Sequence, residues 1–355
     1  MTMPEGLSKQ TLRIIDANLN RIGESLRLLE DIARLILNNA ALSRQLKSMR
    51  HLLEEVDFPL KKQLLQARQA DSDVGADIKV EQQLEKRDLY TAVIANSRRI
   101  EQSLRVIEEL GKTDGINMNP DKFEKARFTL YTIEKDLVSR LLRKDKADRI
   151  KGLYAIIDTD FLKGRSHLEI AREILKGGAR IIQLRDKTTP KKELLPIAVA
   201  LKKLCAEYDA LFIVNDHLDI ALATDADGLH IEQEGIPAAI ARRLMPIDKI
   251  IGCSVSNQNE ATAAETDGAD YITVSSIYPI TSKGDVKITG LDTLCSIKEK
   301  ANVPVVASGG TTYDNISGVI PCGIDSIALI SDIREAPSLQ EATRKIIAKM
   351  GLNNE

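Results

Sequence analysis

Tryptophan is absent from these 355 residues and aromatic side chains make up only 3% of them, so few flat rings are available for stacking on nucleic-acid bases. Charge argues the same way. Fifty Lys and Arg stand against 52 Asp and Glu, a formal net charge of -2, with no basic excess to meet a phosphate backbone. No apolar run approaches the roughly 18 residues that a membrane-spanning helix needs, and the opening MTMPEGLSKQ lacks the basic and apolar regions of a secretory signal. The expectation is a cytoplasmic chain with neither nucleic acid nor membrane as partner. The four cysteines, Cys205, Cys253, Cys295 and Cys322, form no C-x-x-C pair, which argues against a disulfide framework or a zinc site and predicts reduced core residues. A P-loop is missing too.

What is present is a plain globular composition, 43% hydrophobic and 29% charged, at a length that exceeds one ordinary core and suits two domains. Two rhythms divide it. From Gln10 to about Arg143 apolar residues recur at three and four, as in Leu26, Leu29, Ala33 and Ile36. This predicts amphipathic helices, broken at Asp57 to Pro59, Asp71 to Gly75 and Gly111 to Pro120. The charged run Arg143 to Arg149 reads as a junction, giving an all-α domain over 1–148 and a second domain over 149–355. From Leu153 short β-rich runs take over: LYAII at 153, IIQL at 181, LFIV at 211, GLHI at 228, IIGC at 250, YITV at 271, PVVA at 304 and SIALI at 326. Eight strands alternating with helices in about 200 residues predict an α/β fold, a closed (β/α)8 TIM barrel. A doubly wound open sheet is the alternative, but no G-x-G-x-x-G turn follows the first strand.

In such a barrel the chemistry gathers at the C-terminal ends of the strands. Gln183, Arg185 and Lys187 stand at alternate positions, which aims an amide, a guanidinium and an ammonium at one point. Arg grips phosphate in bidentate fashion and Lys adds a compact charge, so the expected guest is a phosphorylated small molecule, a phosphate ester or pyrophosphate. Asn215 and Asp216 follow the third run and Ser254 ends the fifth. Ser282 and Lys283 lie in the loop SSIYPITSKGD after the sixth, Ser308-Gly309-Gly310 after the seventh, and Ile330-Ser331 after the eighth. Two anion sites are expected. One lies beside Arg185, Lys187 and Lys283, with Asp216 available to the Mg²⁺ that pyrophosphate brings; the other is a backbone cradle from Gly310 to Ser331. Asp216 could equally cap the helix beginning near His217, and His230 reads as a packed strand residue.

The motifs QLRDK, VNDH, ADGLHIEQE, IGCSVSN, SSIYPITSK, VVASGGTT and IALIS, in this order from about 150 to 350, closely resemble those of thiamine-phosphate synthases. The resemblance implies an enzyme that joins hydroxymethylpyrimidine pyrophosphate to thiazole phosphate, through loss of pyrophosphate to a pyrimidine-stabilised cation and attack by the thiazole nitrogen. It implies that Gln183, Arg185, Lys187, Asn215, Ser254 and Lys283 hold the pyrimidine pyrophosphate, with Arg185, Lys187 and Lys283 as the catalytic cations that stabilise the leaving charge. Asp216 would bind Mg²⁺, and Ser282, Gly310, Ile330 and Ser331 would receive the thiazole phosphate. Two positions depart from the family. Where it reads G-Q-E-D this chain has Glu232-Gln233-Glu234-Gly235, which removes the second metal-binding aspartate and leaves Glu234 or Glu232 to substitute. Ile280 replaces a Thr in the P-T-x-T-K loop. A thiazole tautomerase on the same barrel is an alternative, although an enzyme without a pyrophosphate substrate has little need of these cations.

The helical half repeats itself: ANLNRIGESLRLLED at 17–31 aligns without a gap with ANSRRIEQSLRVIEE at 95–109, with eight of fifteen positions identical. At 100° per residue Asn18, Arg21 and Ser25 share a narrow arc with Ile22 and Leu29, and Asn96, Arg99 and Ser103 repeat the arrangement. This predicts either a buried polar cluster fixing helix register or a pseudo-symmetric pocket in which Arg21 and Arg99 face a phosphate. Arg27, Glu30 and Asp31 lie on the far side, as a solvated or helix-to-helix ion network. The stretch DSDVGAD at 71–77 could add Mg²⁺ ligands. This half resembles a small family, found alone or fused to thiamine-phosphate synthase, associated with phosphorylation of hydroxymethylpyrimidine phosphate; that resemblance implies a kinase with ATP as donor. The alternative is a non-catalytic oligomerisation or regulatory module; among partners, phosphorylated small molecules and a homo-oligomer are the expectation.

Overall fold

The structure, a computed structural model, describes residues 8–69, 88–113, 116, 118–159, 162, 164–279, 288–329 and 336–351. The chain divides between Leu142 and Arg143 into two compact units. The first is built from helices α1 (Lys9–Asp31), α2 (Ala40–Glu54), α3 (Phe58–Ala67), α4 (Leu89–Gly111) and α5 (Pro120–Asp148), and α5 runs on past the division. Local chemistry starts these helices. Ser8, Asn39 and Asp57 each accept the backbone N–H three residues on, so the Asp57 to Pro59 break is an N-cap with Pro in the first turn. The repeat supplies the core: Ile22, Leu26 and Leu29 of α1 and their counterparts Ile100, Leu104 and Ile107 of α4 belong to one buried cluster. Among the described residues no helix is long and apolar enough to cross a membrane.

The second unit is a closed barrel of eight parallel strands in sequence order: β1 (Gly152–Asp158), β2 (Ile181–Arg185), β3 (Leu211–Asn215), β4 (Gly228–Ile231), β5 (Ile250–Val255), β6 (Tyr271–Val274), β7 (Val305–Ala307) and β8 (Ser326–Leu329). All eight β-rich runs of the sequence are strands. Between them lie α6 (His167–Lys176), α7 (Lys191–Glu207), α8 (Leu218–Ala223), α9 (Ala238–Leu244), α10 (Gln258–Thr266), α11 (Leu291–Lys300) and α12 (Ile316–Val319), and α13 (Leu339–Lys349) follows β8. Alternate strand residues face two cores. The larger packs strands against helices; the smaller holds Tyr154, Ile181, Leu211, Ile213, Ile250, Tyr271 and Val306. The hydroxyls of Tyr154 and Tyr271 meet at 2.8 Å, and Gly252 admits the second ring, because a Cβ there would lie 2.0 Å from Tyr271 Cζ. One expectation is overturned. Cys295 and Cys322 are joined as a disulfide, while Cys205 and Cys253 are free and buried. The pair meets because α11 packs beside the helical turn Ile320–Cys322, a proximity that a spacing of 27 residues does not signal.

Candidate active site

The register that alternates apolar residues into the outer core turns Gln183, Asn215, His230 and Ser254 inward near the C-terminal mouth of the barrel. Gln183 and Asn215 are buried. The Gln183 amide donates to Asn215 Oδ1 at 2.6 Å, and the Asn215 amide donates to Asp216 Oδ2 at 2.8 Å. Asp216 stands just past β3 at φ 54°, and its Oδ1 accepts the Glu232 backbone N–H at 2.9 Å. It therefore does not cap α8, whose first turn receives no side-chain cap. Burial pushes the Asp216 carboxyl above its ordinary range, and the neighbouring Glu232 charge adds to this against the backbone hydrogen bond.

Beside it the cations converge. Arg185 donates from Nε to Glu232 Oε1 at 2.8 Å and pairs through a second nitrogen with Asp158 at the end of β1; Lys187 reaches Glu232 Oε2 at 2.6 Å. Burial alone would raise the Glu232 carboxyl, yet the hydrogen bonds and charges of Arg185 and Lys187 hold it at about 2. Lys187 lies beyond the strand, in a loop organised by Asp186. That buried carboxylate accepts the backbone N–H groups of Thr188 and Thr189 at 3.0 and 2.7 Å, together with the Thr159 hydroxyl. His230 is packed between Tyr271 Oη at 3.2 Å and Ser254 Oγ at 3.0 Å, and burial lowers it to about 4, which leaves the ring neutral near pH 7.

Opposite this cluster in the strand order, Gly309 and Gly310 turn the chain after β7 with φ of 86° and 72°. Gly310 packs on the Tyr278 carbonyl, 2.4 Å from where a Cβ would stand, and Asn315 holds the turn by donating to the Gly310 carbonyl at 2.8 Å. Ile280, Ser282, Lys283, Ile330, Ser331 and the 71–77 stretch lie outside the described residues. Among the described residues no group of three or more His, Cys, Asp or Glu is gathered for a metal. Mg²⁺ fits such a site nonetheless, since it is held by one or two carboxylates plus substrate phosphates, and Asp216 with Glu232 offers hard oxygen donors. Glu234 is exposed. A Cβ at Gly235 would come within 2.9 Å of Asp216 Oδ1 and 2.6 Å of Ile231 Cγ2, so the turn has no room for a side chain there as it stands.

The helical unit departs from the helical wheel. Asn18, Ser25 and Ser103 are buried and Asn96 half-buried, but Arg21 and Arg99 are exposed, so the six residues do not share one face. Asn18 and Asn96 each donate to their own helix, to the Ile14 and Ala92 carbonyls at 2.8 Å. Glu30, on the far side of the wheel, is buried in the helix-to-helix ion pairing foreseen there, with Arg50 of α2, and its counterpart in the repeat, Glu108, is buried and paired with Arg105, Lys112 and Arg127. A cavity of about 570 Å³ opens between α1, α2 and α3, lined by Asp16, Asn20, Gly23, Glu54, Lys61 and Arg68 among others. It faces positions where the repeats differ: Asp16, Asn20 and Gly23 correspond to Ile94, Arg98 and Glu101. Sequence reading missed this cavity, along with Asp158 and Asp186; the signal for Asp158 was a lone carboxylate at the end of an apolar strand.

Comparison with known proteins places the geometry in context. The family model described as thiamine monophosphate synthase matches residues 153–333, and that of the ThiD2 family matches residues 13–136. A thiamine-phosphate synthase of Thermosynechococcus vestitus is 34% identical over 350 residues, covering 98% of this chain and 97% of the relative. One from Prochlorococcus marinus is 33% identical over 344 residues, with 96% of each covered. One from Moorella thermoacetica is 45% identical over 195 residues, 55% of this chain and 93% of that protein. A solved thiamine phosphate pyrophosphorylase from Pyrococcus furiosus is 38% identical, with a TM-score of 0.53 over 58% of this chain and 98% of its own.

Proposed function

The chain belongs to the thiamine-phosphate synthase family, and on that footing we propose that its barrel couples hydroxymethylpyrimidine pyrophosphate to thiazole phosphate, with the pyrophosphate on Arg185 and Lys187. The observation that carries this reading is the convergence of both cations on one carboxylate at the barrel mouth. The bond from the pyrimidine methylene to the pyrophosphate oxygen breaks, its electron pair leaves with pyrophosphate, and the thiazole nitrogen closes the new C–N bond on the resulting cation. The main demand is to stabilise negative charge on the leaving group. Arg185, Lys187 and Lys283 meet it, and Gln183, Asn215 and Ser254 orient the pyrimidine. Mg²⁺, held by Asp216 and the phosphates, adds charge neutralisation when bound. Ser282, Gly310, Ile330 and Ser331 take the thiazole phosphate. No strong base is needed, which suits a neutral His230 fixed between two hydroxyls. The test is formation of thiamine phosphate and pyrophosphate in equal amounts from the two substrates with Mg²⁺; absence of product, or an Arg185→Ala variant as active as the wild type, would overturn it.

For the helical unit we propose phosphorylation of hydroxymethylpyrimidine phosphate with ATP as donor, supplying the barrel. The ThiD2 match over 13–136 and a cavity carrying both Lys61 and Arg68 and both Asp16 and Glu54 support it. The full chain, given ATP, Mg²⁺ and the pyrimidine monophosphate without thiazole phosphate, should form the pyrimidine diphosphate, read by ³¹P NMR. If none forms while ready-made pyrophosphate substrate is still coupled, the helical unit is a regulatory or oligomerisation module instead.

A further inference from the structure

Arg185 has two acidic partners of different character. Asp158 is 3% exposed and Glu232 is 27% exposed, so Asp158 is the fixed partner and Glu232 the one at the solvent side. Glu232 also takes Lys187. Its carboxylate thus sits where the anion of a substrate would, one oxygen on each cation. The backbone of the same residue is tied to Asp216 through its N–H at 2.9 Å, which holds the main chain of Glu232 directly beside that carboxylate. Position 235 cannot lend a carboxylate, because its Cβ would collide with Ile231 and Asp216, and Glu234 faces solvent.

We propose that Glu232 exchanges partners during the catalytic cycle: it neutralises Arg185 and Lys187 in the empty site, yields them to the pyrophosphate group, and turns to the accompanying Mg²⁺ beside Asp216. This rests on the reading of Arg185 and Lys187 as pyrophosphate ligands. Each cation has an acidic partner in both states. Two carboxylates answer two cations in the empty site; in the filled site the pyrophosphate takes the cations and the carboxylates of Asp216 and Glu232 take the metal. An anion arriving without metal must compete with Glu232 and strand its charge, so the exchange would favour the metal-loaded substrate.

The experiment is calorimetric titration of inorganic pyrophosphate into the full chain, with EDTA and again with saturating Mg²⁺, paired with electron paramagnetic resonance of Mn²⁺ binding in the presence of pyrophosphate. In EDTA, Glu232→Ala and Glu232→Gln should each bind pyrophosphate about tenfold more tightly than wild type, the scale of one displaced ion pair. With Mg²⁺ the affinity gained from the metal should shrink about tenfold, and Mn²⁺ should bind correspondingly more weakly, as expected for a lost ligand. The Gln variant keeps the length of the side chain, so agreement between the two variants excludes a packing effect. Arg185→Ala separates the two layers of argument. If it binds pyrophosphate as wild type does, the anion-site reading itself is wrong. If it binds more weakly while the Glu232 variants match wild type in both buffers, or weaken binding without metal, Glu232 is a static structural partner and the exchange is refuted.

Discussion

Replacing Arg185 and Lys187 in turn separates the groups that hold the barrel mouth together from those that serve the reaction alone. Arg185 is 15% exposed and shares its charge between Asp158 and Glu232, whereas Lys187 is 51% exposed and touches only the outer oxygen of Glu232 among the described ion pairs. Removing one member of a buried pair costs about 3 kcal/mol or more, because the remaining charge loses its counter-ion. An exposed pair contributes about 0–1 kcal/mol. On the proposed reading both cations contact the leaving group, and loss of one preorganised charge contact costs about 10²-fold in turnover. Lys187→Ala is therefore expected to unfold in urea close to wild type while forming thiamine phosphate about 10²-fold more slowly at saturating substrate. Arg185→Ala should show the same kinetic loss together with a destabilisation of about 3 kcal/mol. Equilibrium unfolding by circular dichroism and steady-state product formation measure the two quantities independently. A Lys187→Ala variant with near wild-type turnover, or one destabilised as much as Arg185→Ala, would refute the reasoning.

Three further outcomes follow from packing and charge. Gly235→Asp, which puts in place the aspartate that the resemblance implies, should fail to lower the Mg²⁺ concentration for half-maximal rate and should cost about 1–3 kcal/mol of stability, because its Cβ meets Ile231 Cγ2 at 2.6 Å; a metal titration with urea unfolding decides this, and a lowered requirement would show that the turn opens freely. Gly252→Ala places a methyl 2.0 Å from the Tyr271 ring, and at the upper end of the overpacking range, about 3 kcal/mol, it should destabilise the barrel more than Tyr271→Phe does, as a paired unfolding series would show. Burial would raise the Glu108 carboxyl, but Lys112, Arg105 and Arg127 outweigh this and lower it. Its contribution is then present above the unfolded glutamate range of about 4.3 and is lost as pH falls through the lower folded value, so Glu108→Gln should flatten the acid limb of the helical unit's unfolding curve, and an unchanged limb would assign that sensitivity elsewhere.

Part of this protein was legible in segments shorter than ten residues. Parallel strands buried on both faces need unbroken β-branched and apolar runs, and IIQL, LFIV, IIGC and YITV carry that pattern in themselves. The period of two also carried Gln183 and Arg185 to one face without knowledge of the neighbours. Helix faces were less legible, because burial there depends on what packs on each side. Arg21 and Arg99 sit at the edge of the apolar arc, where a long side chain carries its charge to solvent, whereas Glu30, outside that arc, is covered because α2 brings Arg50 against it. The partners that define the site are set later still. Glu232 reaches Arg185 across 47 residues, Arg185 reaches Asp158 across 27, and Cys295 reaches Cys322 across 27. Local periodicity decides which residues form a strand or helix and which way they face; only closure of the barrel, which lays eight strand ends around one mouth, decides which distant charges meet there.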